Sequence, residues 1–221
     1  MSSEVHAEDH AKPWETVRRG LLLLVSSPAG AGKTSLSRRL VADYSDMILS
    51  ISATTRDPRP GDQEGREYFF KTRAEFEALI ATDALLEWAE INSNLYGTPK
   101  APVVAAMEAG KDVLFDIDWQ GANQVAKNQP NDSVRVFILP PSWSDLARRL
   151  HARAQDSEAV IDQRLHLGKR EIDHWAEYDY VIVNKDFDRA YADLIHIYRS
   201  ERMKPGRNPW LPDFVQGLAD E

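Results

Sequence analysis

Apolar positions along this chain fall into short unbroken runs, separated by longer stretches with helical spacing. The first run covers residues 21–26 and ends in a Ser-Pro-Ala-Gly loop. A run this short, without polar alternation, predicts a parallel strand buried on both faces. The spacing then predicts a helix over 33–43, a short strand over 48–52 and another over 68–70. Between these, prolines, glycines and arginines predict a loop over 55–65. Thr72-Arg73-Ala74-Glu75 has the capping-box pattern, which opens a helix running to about Ala81. Thr98-Pro99 predicts an N-cap with a first-turn proline, and Gly110 the end of that helix. Strands are predicted over 113–116 and 134–139. Ser142-Trp143-Ser144-Asp145 opens a further helix that breaks at 154–157. A helix over 158–169, a strand over 180–183 and a helix over 188–202 complete the pattern.

Strands separated by helices predict an α/β fold with a doubly wound parallel sheet. Such sheets bind ligands at the carboxyl ends of their strands, so chemistry is expected after Val25, Ser52, Phe115 and Leu139. With 221 residues the chain is long enough for one core with inserts. The absence of cysteine excludes disulfides and thiolate metal sites and suits a reducing compartment, so a cytoplasmic location is expected. No apolar run approaches the roughly 20 residues that span a bilayer. Residues 1–16 are polar, lack the apolar segment of a secretory signal and are expected to be a disordered tail. A net charge of -8 argues against sequence-independent binding to nucleic acid. Neither nucleic acid nor membrane is therefore an expected partner, and the oligomeric state is left open. The histidines show no metal-ligand spacing outside that tail.

Ser27-Pro28-Ala29-Gly30-Ala31-Gly32-Lys33-Thr34 lies between the first strand and the first helix. It matches the phosphate-binding loop G-x-x-x-x-G-K-[ST], with Ser27 in place of the first glycine. Gly30 and Gly32 let the backbone wrap so that its N–H groups point at an anion, and the helix adds its positive dipole end. Lys33 can reach the β- and γ-phosphates of a nucleoside triphosphate, and the Thr34 hydroxyl can ligate Mg²⁺. Asp116, ending a buried strand, is the expected partner of that ion through water.

The stretch Ser52-Ala53-Thr54-Thr55-Arg56-Asp57-Pro58-Arg59-Pro60-Gly61, followed by Gly65-Arg66-Glu67-Tyr68-Phe69-Phe70, closely resembles the guanylate kinases. The likeness continues through Glu87-Trp88-Ala89, Tyr96-Gly97-Thr98 and Asp116-Ile117-Asp118-Trp119-Gln120-Gly121, and covers the chain from Leu21 to about Glu201. The resemblance implies transfer of the γ-phosphoryl group of ATP to GMP with Mg²⁺. It assigns the GMP phosphate to Arg56, Arg59, Tyr68 and Tyr96. Two guanidinium forks three residues apart on a proline-stiffened loop suit a dianion, although arginine-rich loops also occur simply as solvated charge. The resemblance assigns the guanine N–H donors to Glu87 and Asp118, and O6 to Ser52 and Thr98. For Thr98 that role competes with the helix N-cap. Glu87 without the resemblance reads as a surface acid at a helix end.

Arg149, Arg153 and Arg164 match the phosphate-contacting arginines of the family's lid, with Ala152 and Ala154 where the family often has glycine. Asn184 matches a residue beside the adenine of ATP, followed here by Lys185 in place of a frequent aspartate. The expected organisation is a core of 17–52, 99–141 and 170–221, a nucleoside-monophosphate-binding insert of 53–98 and a helical lid of 142–169. A related P-loop kinase acting on a ribose bisphosphate would not need the Glu87 and Asp118 pair. A peptide-binding module of the same lineage typically lacks P-loop or lid residues that are present here.

Overall fold

A computed structural model describes residues 18–91, 93–152 and 158–221. In chain order its elements are β1 (Leu22–Ser26), α1 (Lys33–Asp43), β2 (Met47–Leu49), β3 (Ala53–Thr54), β4 (Phe69–Phe70), α2 (Arg73–Ala81), β5 (Leu85–Ile91) and β6 (Asn94–Pro99). There follow α3 (Lys100–Glu108), β7 (Asp112–Asp116), α4 (Trp119–Asn128), β8 (Ser133–Leu139), α5 (Trp143–Ala152) and α6 (Glu158–Glu171). The chain ends with β9 (Tyr180–Val183), α7 (Phe187–Arg202) and α8 (Leu211–Ala219).

The first apolar run becomes β1, the middle strand of a parallel sheet ordered β2-β7-β1-β8-β9. Its residues lack alternation because helices cover both faces. Leu21, Leu23 and Val25 pack with Leu36, Leu40, Leu146 and Tyr198 on one side. Leu22 and Leu24 pack with Met107, Phe115 and Val125 on the other. Burying each such leucine contributes roughly 1.5–3 kcal/mol, so the strand is firmly seated. The register pairs Val25 with Asp116. An acid is thereby set at the level where β1 gives way to the phosphate-binding loop.

A second sheet, ordered β4-β3-β6-β5, stands apart with its own core of Ala53, Phe76, Leu85 and Leu95. The predicted capping box opens α2: Thr72 Oγ1 accepts from Glu75 N, and Glu75 Oε2 accepts from Thr72 N at 2.7 Å.

Several expectations are corrected. Thr98 does not cap a helix. It lies in β6 opposite Glu87, its hydroxyl donates to Glu87 Oε1 at 2.7 Å, and α3 starts after Pro99 without a side-chain cap. The alternative reading of Glu87 as a surface acid at a helix end does not hold either, since it is a buried residue of β5. The β5–β6 hairpin, the strand β3 and the helices α4 and α8 had no sequence prediction. The predicted strand over 48–52 is shorter, spanning Met47–Leu49. The expected tail over 1–16 and the predicted break at 154–157 lie outside the described residues.

Candidate active site

The loop after β1 wraps through two glycines in left-handed conformations, Gly30 at φ 90° and Gly32 at φ 105°. At Gly32 no side chain is tolerated: a Cβ would sit 2.2 Å from Asn184 Nδ2. That amide nitrogen instead donates to Ala31 O at 2.8 Å, and Asn184 is almost fully buried. Arg149 of α5 donates through Nη2 to Asn184 O at 2.8 Å and through Nη1 to Ala31 O at 3.4 Å. The loop is thus bracketed from behind by the residue after β9 and by α5. Gly30, Gly32, Arg149, Asn184 and Phe187 line one cavity of about 410 Å³. Ser27 caps its own turn by donating to Pro28 O, and Thr34 is exposed at the start of α1.

Lys33 leaves the loop toward β7. Its Nζ lies 2.7 Å from Asp116 Oδ1 and donates to Ile117 O at 3.0 Å. Just beyond Ile117, Asp118 caps α4 by accepting from Gly121 N at 2.8 Å. A Cβ placed on Gly121 would lie 3.5 Å from both Asp118 Oδ1 and Glu87 Oε2, so the two carboxylates converge over that glycine. They share a second cavity of about 410 Å³ with Ser52, Tyr68, Tyr96 and Ile117. Burial pushes the Glu87 carboxyl above the ordinary range, and the nearby charge of Asp118 adds to this; the bond from Thr98 opposes it. The Thr98 hydroxyl also lies 3.4 Å from that of Ser52.

The rim of this cavity is aromatic and cationic. The Tyr68 and Tyr96 rings stand 6.0 Å apart, and the Arg56 guanidinium lies 5.3 Å from the centre of Tyr68. Arg56 Nη2 donates to Asp62 at 2.8 Å. Arg59 is exposed on the same loop, and its backbone N–H also donates to Asp62. On α6, Arg164 is partly buried, whereas Arg153 lies outside the described residues.

Two residues of this region went unremarked in the sequence. Asp62 is one. The other is Glu171, whose carboxyl lies beside the Ala29 backbone in the loop after β1. Burial raises its carboxyl above the ordinary range, against the pull of Lys33, and its Oε2 is buried without a partner among the described residues. Spacing offered a signal for it: Arg164, Gly168 and Glu171 share one face of α6, and Gly168 packs on Pro28. A larger cavity, about 770 Å³, lies at the opposite end of the sheet, beside Arg19, Asp132 and Lys204. Its cations are paired, Arg19 with Asp132 and Lys204 with Glu201, and it faces away from the carboxyl ends of the strands.

Comparison with known proteins accounts for this arrangement. Residues 19–201 match the family model described as guanylate kinase. The chain belongs to the guanylate kinase family. It is 59% identical over 203 residues to a guanylate kinase of Caulobacter vibrioides, covering 92% of this chain and 95% of that relative. It is 53% identical over 209 residues to one of Rhizobium meliloti, covering 95% of each. The crystal structure of guanylate kinase from Anaplasma phagocytophilum superposes with a TM-score of 0.69 at 33% identity, covering 90% of this chain and 95% of that one. The reaction of guanylate kinases is ATP-dependent phosphorylation of GMP to GDP, and this chain is a kinase of that family.

Proposed function

We propose that the chain performs ATP + GMP → ADP + GDP by holding one nucleotide in each of two cavities, one lined by Gly32 before Lys33 and one by Ile117, to whose carbonyl Lys33 donates. The observation that carries this reading is the convergence of the Glu87 and Asp118 carboxylates over Gly121. Guanine presents N–H donors at N1 and N2, and a pair of carboxylates is the acceptor set they need. Adenine offers no such pair. Ser52 serves O6, while Thr98 holds Glu87 in place from behind. Arg56, Arg59, Tyr68 and Tyr96 take the GMP phosphate at the rim.

ATP occupies the other cavity. The backbone of Ser27, Pro28, Ala29, Gly30, Ala31 and Gly32 surrounds its phosphates, with Asn184 toward the adenine. Lys33 has three N–H donors, of which Asp116 and Ile117 O engage two, so one remains for the transferring phosphoryl group. Arg149, Arg153 and Arg164 bring charge from the lid. The chain divides accordingly into the core, the insert 53–98 and the lid 142–169.

Magnesium fits the residues present. No cluster of three or more acidic, histidine or cysteine ligands occurs among the described residues, but Mg²⁺ needs only one or two protein oxygens beside phosphates and water. The exposed Thr34 hydroxyl would supply one directly, and the Asp116 carboxylate would hold the ion through water. The ion would neutralise charge on the β- and γ-phosphates. Phosphoryl transfer otherwise asks for positioning and charge neutralisation, which Lys33 and the arginines provide. GMP is a dianion near neutrality, since its second ionisation lies at about pH 6, so no general base is required. No helix of the described residues is long and apolar enough to cross a membrane, and we place the chain in the cytoplasm.

An ADP-release assay with ATP and a panel of monophosphates tests the reading. GMP should turn over, with AMP, CMP and UMP at least ~10²-fold poorer, because an acceptor site left without its donors is costly. Comparable turnover of AMP would refute the assignment of Glu87 and Asp118.

A further inference from the structure

The Arg56 side chain is 14% exposed, and its guanidinium lies against the rings of Tyr68 and Phe70. A cation seated against two rings gains from an anionic partner when no phosphate is bound. Asp62 is that partner. Its Oδ2 accepts from Arg56 Nη2 at 2.8 Å and from the backbone N–H of Arg59 at 2.9 Å. One carboxylate oxygen thereby ties the side chain of the first arginine to the backbone of the second.

We propose that Asp62 is a positioning residue of the acceptor site, fixing Arg56 and Arg59 relative to each other so that the phosphate of GMP meets a preformed clamp. The inference rests on the reading that these arginines hold that phosphate. Three features support it. The Arg59 N–H and then the Arg56 guanidinium hold the Asp62 carboxyl below its usual range, so it stays charged across the neutral region. Of the five N–H donors of Arg56, Asp62 and the Asp57 carbonyl engage one each, which leaves three for a ligand. The loop is closed by Gly61 at φ 95°, a turn that brings Asp62 back over the two arginines. Preorganisation of this kind reduces the ordering cost of binding a small dianion.

The test is calorimetric binding of GMP, guanosine and ATP to wild type, D62A, R56A and the double variant. Asp62→Ala should weaken GMP by roughly tenfold, as expected for members of one hydrogen-bonded network, and leave guanosine and ATP unchanged. In the Arg56→Ala background the same substitution should cost markedly less, since most of its effect passes through that guanidinium. A purely structural loss would lower guanosine affinity as well. Unchanged or tighter GMP binding by D62A, with R56A still impaired, overturns the inference alone. Unchanged GMP binding by R56A overturns the underlying reading of the arginine loop.

Discussion

At the residue scale, the proposed reading rests most heavily on Glu87. It is 9% exposed, held by Thr98 and set against Asp118. Glutamine has nearly the same shape, so Glu87→Gln should preserve packing. Its amide would present a donor where guanine also presents one. With hydrogen bonds to charged groups contributing about 1.5–3 kcal/mol, GMP affinity should fall roughly 10- to 100-fold while ATP affinity holds. Calorimetry with each nucleotide checks this. A pH effect follows from the same carboxyl. Its raised pKa means that the folded protein takes up this proton more readily than the unfolded chain does. Stability therefore declines as pH rises from the unfolded to the folded value, and guanine donors offset the buried charge. Guanosine binding should weaken as pH falls through that raised value, and E87Q should flatten the profile. Guanosine is the probe because the phosphate of GMP titrates at about pH 6 itself.

Among the elements, those with explicit terminal chemistry were legible from sequence. The start of α1 follows from Gly32 and that of α2 from Thr72 and Glu75; Ser142 accepts from Asp145 N where α5 begins. Thr72→Ala should cost about 1 kcal/mol of stability, read as a lowered denaturation midpoint, with turnover of GMP unchanged. A fall in turnover without a stability change would tie the cap to the site instead. The β5–β6 hairpin was not legible. Its pairing depends on partners such as β3, and Thr98-Pro99 carried a competing helix-start signal. Gly97 marks the hairpin only in three dimensions, where a Cβ would meet Glu87 O at 2.6 Å. Helix α4 was hidden by its glycine and asparagines, poor helix formers that Asp118 offsets as N-cap. The site divides the same way. Lys33, Glu87 and Asp118 stand in motifs, whereas Asp62 accepts from a backbone N–H that the sequence gives no reason to place beside it.

For the whole molecule, the proposed reading needs a topology that brings two nucleotide sites to one lysine. The central strand β1 delivers the phosphate-binding loop, β7 delivers Asp116 and Asp118 beside it, and the second sheet carries Glu87 across to them. Two cavities of about 410 Å³ result, one lined by Gly32 and the other by Ile117, with Lys33 reaching from the first toward the second. The central claim is direct transfer between nucleotides held in these cavities. Its most direct measurement follows the label from γ-³²P-ATP when GMP is added. The account predicts that the label appears in the β-phosphate of GDP, with one ADP formed for each GDP. Label released as free phosphate, or none transferred to GMP while ADP accumulates, would contradict it.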